Sequence, residues 1–407
     1  MSQNTRRPTI HEVARVAGVS IGTVSNVLNG TAVVRPELRV QVEQAITTLG
    51  YRPNTIARML IARRARESGL RISAGPKLTS VGYLSVDYTA RVDALPRRDD
   101  RLTAAGIEKS LGGPAANVAV MAASLGGRWA IACELVTALG NDTDSEWALS
   151  QLAARSVETI AIRGGLDRRL SRCIILVEPD GRRTIVNEPF VLEETNVVRY
   201  LDHAPEDGKC HCVHFDGYQV TTMADSIPRV HDLGFITSVH TTGLPQDWRT
   251  PEAFRHLRAG FDLVFVNRDV ARDILQFSGS DSEIVRRVQR LCLDTLPSKA
   301  KGLVLLTLGA SGAALFAADD KVLMQSAPPV ETVDTTGAGD TFVGVFLATW
   351  LNGESPAAAL RYAVTAASLS TTAEGAQGRR STAEDLLALA GEDHGVAAAE
   401  KSSARIA

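Results

Sequence analysis

The nonapeptide Asp334-Thr335-Thr336-Gly337-Ala338-Gly339-Asp340-Thr341-Phe342 combines residue types that could move a phosphoryl group. It follows the β-like run Val330 to Val333 and opens a helical pattern in which Phe342, Val345, Phe346 and Trp350 recur before an Asn352-Gly353 stop. Gly337, Ala338 and Gly339 place three small residues at that helix N-terminus, where unpaired backbone N–H groups and the helix dipole favour an anion. Asp340 sits just inside. A carboxylate beside a phosphate repels it, so it suits a general base that takes the proton of a hydroxyl attacking the γ-phosphate. The same residues also read as a Gly-rich turn with an Asp in the first helical turn, where Asp is favoured anyway.

The elements that would position such a site alternate. Strand-like runs stand at Val81–Val86 (ending in Asp87), Ile131–Val136, Ile174–Val177, Val213–Phe215, Phe235–Val239, Leu263–Val266 and Leu303–Leu308, mostly with helical stretches between. That order predicts a largely parallel sheet wrapped in helices. Leu111-Gly112-Gly113-Pro114-Ala115-Ala116-Asn117 opens an Ala-rich helix from Val118 to Leu125. Arg172 to Ile185 reads as a hairpin turning at Asp180-Gly181, and with residues 88–110 it could form a small β lid. No G-x-x-x-x-G-K-[ST] is present, and no G-x-G-x-x-G follows a strand, which argues against a P-loop kinase and a dinucleotide enzyme. No internal repeat is visible.

The 407 residues allow two or three domains, and 44% apolar with 22% charged residues is ordinary for a globular chain. No apolar run reaches membrane-spanning length, the N-terminus lacks a signal-peptide core, and five cysteines suggest reduced thiols; a cytoplasmic protein is expected. The net charge of −2 conceals an asymmetry: residues 1–72 hold 11 Arg, no Lys and 4 Glu, or +7, leaving −9 for the remainder. A basic segment on an acidic body suggests a nucleic-acid contact at one end, with a solvated charged face as the plain alternative. Thr9 can cap a short helix through Ile10, Val13, Ala14 and Ala17, and Gly18-Val19 makes a turn. Ser20 caps a second helix with Val24, Val27 and Leu28 on one face. A third runs from Pro36 to Leu49 and stops at Gly50. This is a helix-turn-helix order.

These first residues resemble the LacI family of bacterial repressors, through Thr9-Ile10, Val13-Ala14, Ala17-Gly18-Val19-Ser20, Thr23-Val24-Ser25, Leu28-Asn29, Tyr51-Arg52-Pro53-Asn54 and Ile56-Ala57-Arg58-Met59-Leu60. The resemblance implies binding to a double-stranded DNA operator through Thr9, Ser20, Ile21, Gly22, Thr23, Ser25, Asn26 and Asn29, with Leu60 as a minor-groove wedge on a hinge helix. Ile21, Gly22 and Asn26 hold the base-reading positions. Arg is common at the last of these, and Asn26 would suit adenine where Arg suits guanine. A small helical protein-interaction module is the alternative.

The body resembles the PfkB/ribokinase family of carbohydrate and nucleoside kinases. Gly112-Gly113-Pro114-Ala115-Ala116-Asn117 matches one family motif and the opening nonapeptide most of the other. Asp87, Gly140-Asn141-Asp142, Asn267, Thr307-Leu308-Gly309 with Gly312, and Gly375-Ala376-Gln377 add support. The resemblance implies an ATP- and Mg²⁺-dependent sugar kinase. Asp87, Gly112, Gly113 and Asn117 would hold the sugar, and Asn267, Thr307, Gly309 and Gly312 would border the nucleotide. Gly337, Ala338 and Gly339 would receive the phosphoryl group, with Asp340 as base. Asp334 and Thr336 would lie where many members hold a monovalent cation such as K⁺. Two departures stand out. Val270 replaces the Glu of the usual Asn-x-x-Glu, with Asp269 and Asp273 as conceivable substitutes, and Ser145 replaces a common Gly.

Cys210-His211-Cys212-Val213-His214 admits a metal reading without an identifiable fourth ligand, or buried thiols at a polar strand end. His240 could line the substrate cleft or be a satisfied core histidine. The expected architecture is α/β: an all-α helix-turn-helix domain with hinge helix (1–60), a linker (61–80), a ribokinase-like α/β/α domain with a small β lid (81–390) and a disordered tail (391–407). The expected function is a sugar kinase fused to a sequence-specific regulator, a homodimer with no membrane contact. The alternative is a sugar- or nucleotide-sensing repressor whose kinase-like body is weakly active or inactive.

Overall fold

The computed structural model describes residues 10–29, 35–49, 75–163, 169–179, 182–189, 192, 194–202, 210–294, 302–317, 321–390 and 397–398. Two compact units divide between Ile72 and Ser73.

In the first unit, helices α1 (Ile10–Ala17), α2 (Ile21–Asn29) and α3 (Pro36–Leu49) enclose a small core of Val13, Ala14, Ala17, Val24, Val42 and Ala45. Gly18 turns the chain between α1 and α2 at φ +67°, a conformation that favours glycine. Ser20 then caps α2, its Oγ accepting from Thr23 N at 3.1 Å. All three helices are those expected from the sequence.

The second unit has a ten-stranded sheet of order β14-β13-β12-β11-β10-β9-β8-β1-β4-β5. Its parallel part comprises β1 (Lys77–Val81), β4 (Ala132–Leu139), β5 (Val157–Arg163), β8 (His211–Phe215), β9 (Ile236–His240), β10 (Leu263–Asn267) and β11 (Leu303–Thr307). Antiparallel β12 (Ala313–Phe316), β13 (Val322–Gln325) and β14 (Ala397–Ala398) extend one edge. Alternate residues of β10 enter opposite cores, Leu263 and Phe265 on one face, Val264 and Val266 on the other. Burial on both faces explains why these strands are near-continuous apolar runs. The helices that build the site are α4 (Pro114–Ser124), α5 (Arg268–Leu275) and α6 (Ala338–Leu351). A second sheet, β3-β2-β6-β7, is the lid, formed by β2 (Ser85–Arg91), β3 (Ile107–Gly112), β6 (Ser171–Val177) and β7 (Arg183–Asn187). The hairpin expected between Arg172 and Ile185 is β6–β7; its turn residues Asp180 and Gly181 lie outside the described residues.

Several expectations differ from the structure. The single strand read at Val81–Val86 is two strands in different sheets, separated at Gly82, whose φ of +151° allows the break. Lys77–Ser80, placed in the linker, are the start of β1. Val330–Val333 is not a strand; instead Val333 N and Asp334 N both donate to Thr371 O. The helix expected from Val118 begins four residues earlier, with Pro114 in its first turn. Of the tail, only Ala397–Ala398 is described, as an edge strand on β13.

Candidate active site

The parallel strands end on one side in Gly82 after β1 and a row of polar residues: Asp216 after β8, His240 on β9, Asn267 on β10 and Thr307 on β11. Such a row of carboxyl ends is where open α/β sheets bind ligands. The lid adds Asp87 from β2. The β3–α4 junction adds Gly112, Gly113 and Asn117, and α6 adds Asp340.

Asp340 lies in the first turn of α6, capped by Gly337 at φ +72°. The Gly337 Cα is pressed against Ala376, where an added Cβ would fall 2.7 Å from the Ala376 Cβ, so the turn leaves no room for a side chain. Gly339, by contrast, faces open space. By helix geometry the first-turn N–H groups have no intrahelical acceptor, so an anion can approach them there.

The Asp340 carboxylate is buried. Asn117 Nδ2 donates to its Oδ2 at 2.8 Å, and Gln377 Nε2 donates to Asn117 Oδ1 at 2.9 Å. Asn117 can serve because α4 is capped by Gly113, whose φ of +99° brings its Cα against the Tyr83 carbonyl. Asp87 accepts from Ser85 Oγ at 2.7 Å and lies directly over Gly112, where any Cβ would meet its carboxylate at 2.1 Å. That contact is a local reason for the first glycine of the pair.

Asp216 was not foreseen from the sequence. Its Oδ2 accepts from Tyr83 N at 2.6 Å, and it packs against Gly82 where a Cβ would not fit. Its Oδ1 is buried with no hydrogen-bond partner among the described residues. The available signal was a lone Asp directly after the apolar strand His211–Phe215, the same placement that pointed to Asp87. Burial pushes the Asp340 carboxyl up to about 7, opposed by the Asn117 hydrogen bond and aided by the Asp87 charge. Burial likewise lifts Asp216 to about 7, against hydrogen bonds from backbone N–H groups, and raises Asp87 against its bond from Ser85. Three buried carboxyl groups with raised pKa are poised to accept hydrogen bonds from a ligand rich in hydroxyl groups.

The expected nucleotide residues stand at the neighbouring strand ends. Asn267 caps α5, its Oδ1 accepting from Val270 N at 2.9 Å. Thr307 ends β11; Leu308 N donates to Gly312 O at 2.8 Å, and Gly309 and Gly312 take positive φ to close that turn. Val270 is buried in the apolar core of its face. Neither conceivable substitute offers a carboxylate there. Asp269 is exposed beside Arg272 at 3.5 Å, and Asp273 pairs with Arg249 at 2.9 Å. The second departure is accommodated: Ser145 Oγ donates to Asp142 Oδ1 at 2.5 Å and accepts from Gly140 N at 3.0 Å, so the serine ties the Gly140-Asn141-Asp142 turn.

At the carboxylate expected to face a monovalent cation, Asp334 Oδ1 accepts from Thr336 N and Oγ1 at 2.8 and 2.6 Å, and Oδ2 accepts from Gly375 N at 2.9 Å. Arg183 of β7 lies on Asp334 Oδ1 at 3.1 Å, bonds Thr335 Oγ1 at 2.6 Å and also contacts Thr336. A guanidinium thus supplies positive charge at that oxygen, and a bare cation at the same oxygen would face it as a like charge. The residues as placed do not fit a cation at Asp334 Oδ1. Cys212 and His214, of the metal reading, are instead hydrogen-bonded to Ser238. Cys210 is exposed and His211 bonds Thr79.

In the first unit, Ser20, Ile21 and Gly22 are exposed at the start of α2 and Thr23 is half-buried. Thr9 and Leu60, and the side chains of Ser25, Asn26 and Asn29, lie outside the described residues. No helix among the described residues is long and apolar enough to cross a membrane.

Comparison with known proteins agrees with both halves. Residues 76–383 match the pfkB family carbohydrate kinase description, and residues 9–54 match bacterial regulatory proteins of the lacI family. An ATP-dependent ribose-1-phosphate kinase of Halopiger xanaduensis is 27% identical over 312 residues, covering 74% of this chain and 94% of the relative. The HTH-type transcriptional regulator CelR of Thermobifida fusca is 48% identical over 71 residues, 17% of this chain and 21% of the relative. The structure of Arabidopsis thaliana ribokinase complexed with ribose and ATP superposes with a TM-score of 0.61 at 22% identity, covering 77% of this chain and 98% of that one. The chain belongs to the pfkB family of carbohydrate kinases and carries, ahead of the kinase fold, a helix-turn-helix segment of the lacI family of bacterial regulatory proteins.

Proposed function

We propose that the body transfers the γ-phosphoryl group of ATP to a hydroxyl of a neutral, ribose-like sugar, and that the N-terminal unit binds an operator. The hydroxyl oxygen attacks the γ-phosphorus, its proton passes to Asp340, and the bond from phosphorus to the ADP oxygen breaks. Asp87, Asn117, Gly112 and Gly113 hold the sugar. The N–H groups at Gly337, Ala338 and Gly339 receive charge on the transferred oxygens. Asn267, Thr307, Gly309 and Gly312 border the nucleotide. Mg²⁺ enters with ATP, since the usual Glu position is the buried Val270 and the one carboxylate in the first turn of α5, Asp269, is exposed beside Arg272.

The buried trio Asp87, Asp216 and Asp340 carries this reading. Carboxylates accept from hydroxyl donors but repel a second phosphate. The lid cations Lys109 and Arg172 lie by register on the face opposite Asp87, and both are committed to Asp144, at 2.8 and 2.6 Å. A free sugar therefore suits the site better than a sugar phosphate, even though one relative is a ribose-1-phosphate kinase. An ADP-release assay with ribose, other free sugars and ribose-1-phosphate tests it; turnover with the phosphate alone would overturn the choice of a neutral substrate.

The unit bearing the helix-turn-helix reads one half-site, so operator binding calls for a dimer. On the lid, Ile107, Ile174 and Val186 share one face by strand register, opposite the face of Asp87, and are 70, 53 and 63% exposed. A second copy of this chain covers that face in our reading, in the cytoplasm. The buried Val270 favours a second reading, a sugar-responsive regulator with little transfer. Absence of ADP release with every sugar, alongside sugar-dependent operator affinity, would select it.

A further inference from the structure

We infer that His214 and His240 are positioning residues for Asp340, joined in a buried donor chain that turns the His240 Nε2–H toward its carboxylate. His214 on β8 and His240 on β9 are both buried, and their ring planes are nearly parallel, 4° apart, with centroids 4.9 Å apart. His214 Nδ1 lies 2.7 Å from Ser238 Oγ, His214 Nε2 lies 2.7 Å from His240 Nδ1, and His240 Nε2 lies 3.6 Å from Asp340 Oδ1.

The direction of the chain follows from its far end. Cys212 Sγ donates to Ser238 Oγ at 3.6 Å; the serine's own proton then has His214 Nδ1, at 2.7 Å, as its acceptor among the described residues. His214 must then carry its proton on Nε2 and donate it to His240 Nδ1. His240 in turn carries its proton on Nε2, which has no hydrogen-bond partner among the described residues. A buried donor without an acceptor is costly, and here it faces the ionised form of Asp340. The opposite direction would set a histidine lone pair against that carboxylate.

Burial keeps both rings neutral, holding His240 down to about 3 and His214 well below its usual range. The chain therefore acts as an oriented dipole at working pH. The other ionisable groups facing Asp340 are Asp87 on β2, and Asp216 and Tyr218 after β8. As anions these would oppose its ionisation, so Asn117 and His240 are the groups that favour the base form, one at each carboxylate oxygen.

The kinetic arm of the test rests on the kinase reading; the spectroscopic arm does not. Nitrogen-15 NMR of the histidine-labelled full chain at pH 8, without sugar, should show His214 and His240 neutral and protonated on Nε2. A proton on Nδ1 of either ring, or titration of either near the ordinary histidine value, overturns the proposal. In the pH profile of kcat/KM, His214→Phe should move the acidic limb upward by about one pH unit, although residue 214 does not touch Asp340. His214→Gln keeps an N–H for His240 and should restore the limb. An unmoved limb with a rate lost equally at every pH reduces the two rings to packing and also overturns it. If the wild type phosphorylates no sugar, the kinase reading fails, and the two tautomers still decide the donor chain.

Discussion

Asn117 and Asp340 stand 223 residues apart in the chain and meet in a 2.8 Å hydrogen bond, the amide donating to Oδ2 of the carboxylate. The bond joins the two sequence motifs into one site. Only one of the pair could take a proton, which leads to a separation of roles. Asp340→Asn keeps the shape and an acceptor for Asn117 but removes the base. Transfer should fall by about a hundredfold or more, with sugar affinity within a few-fold of wild type. Asp87→Ala should instead weaken sugar binding itself. Isothermal titration with sugar and a coupled ADP assay measure both, and an Asp340→Asn protein with undiminished turnover would remove Asp340 from the base role.

Arg183 supplies the positive charge at Asp334, and its arrival from the lid ties β7 to the turn that opens α6. Wild-type turnover should therefore change little when K⁺ is replaced by a bulky organic cation at constant ionic strength. Arg183→Ala exposes the Asp334 oxygen and should create a requirement for K⁺, together with K⁺-dependent thermal stabilisation in the absence of substrates. Equal stimulation of both proteins by K⁺ contradicts this substitution of side chain for ion.

Asp216 sets a pH signature. Its carboxyl lies near 3.8 in the unfolded chain and about 7 in the fold. The folded state therefore binds more protons between these values, and stability falls as pH rises from about 4 to 7, by at most about 1.4 kcal/mol per pH unit for one group. Above 7 the loss is complete and flat. Asp216→Asn removes this contribution while leaving an oxygen for Tyr83 N, so its unfolding midpoint should depend less on pH across that window. Denaturant titrations at pH 5, 6, 7 and 8 show the difference as a converging or parallel pair of curves. Sugar hydroxyls donating to Asp87, Asp216 and Asp340 favour the ionised forms, so sugar binding should release protons near neutrality.

Much of this arrangement was legible in the chain. Apolar runs located β4, β8, β9, β10 and β11 because both sheet faces are covered, while β5 went unread and most of β1 was placed in the linker. Gly112, Gly113 and Gly337 marked backbone that approaches something closely. Gly112 shows what the sequence could not say, namely that its neighbour is the Asp87 carboxylate rather than a ligand alone. Asp216, Arg183 and the pairing of His214 with His240 escaped because each depends on a partner distant in sequence. A single Asp after a strand, or an Arg in a hairpin, has no local pattern that distinguishes it from a solvated charge. Val330–Val333 misled in the opposite sense: its β-branched residues suit a strand, but its backbone is held by Thr371 at the end of a helix.

The outer lid face predicts the assembly. Ile174 and Val186 are register partners across β6 and β7 and are exposed. Val186→Glu adds a charge to each copy at a face proposed to meet its twin. It should convert a dimer to a monomer in light scattering while leaving single-site sugar affinity nearly unchanged. Operator affinity should drop with it, because two half-sites are then read by unlinked chains. A wild-type monomer that binds a palindromic fragment tightly would rule this face out as the source of the dimer.

The lid carries both surfaces at once: Asp87 on the inner face of β2 and, by register, Ile107 and Ile174 on the outer face. A ligand held by Asp87 therefore acts on the same sheet that would pair two copies. Sugar can change operator affinity only through a difference in its own affinity for the two DNA-binding states, and the operator must change sugar affinity by the same factor. We expect Asp340→Asn, which keeps the sugar, to retain any sugar response of operator binding, and Asp87→Ala to lose it. Fluorescence anisotropy on one palindromic fragment, with and without sugar and ATP, compares the three proteins directly. A response retained by Asp87→Ala would separate sensing from this site. A wild type that phosphorylates sugar while operator affinity stays constant would leave the kinase reading intact and remove the coupling.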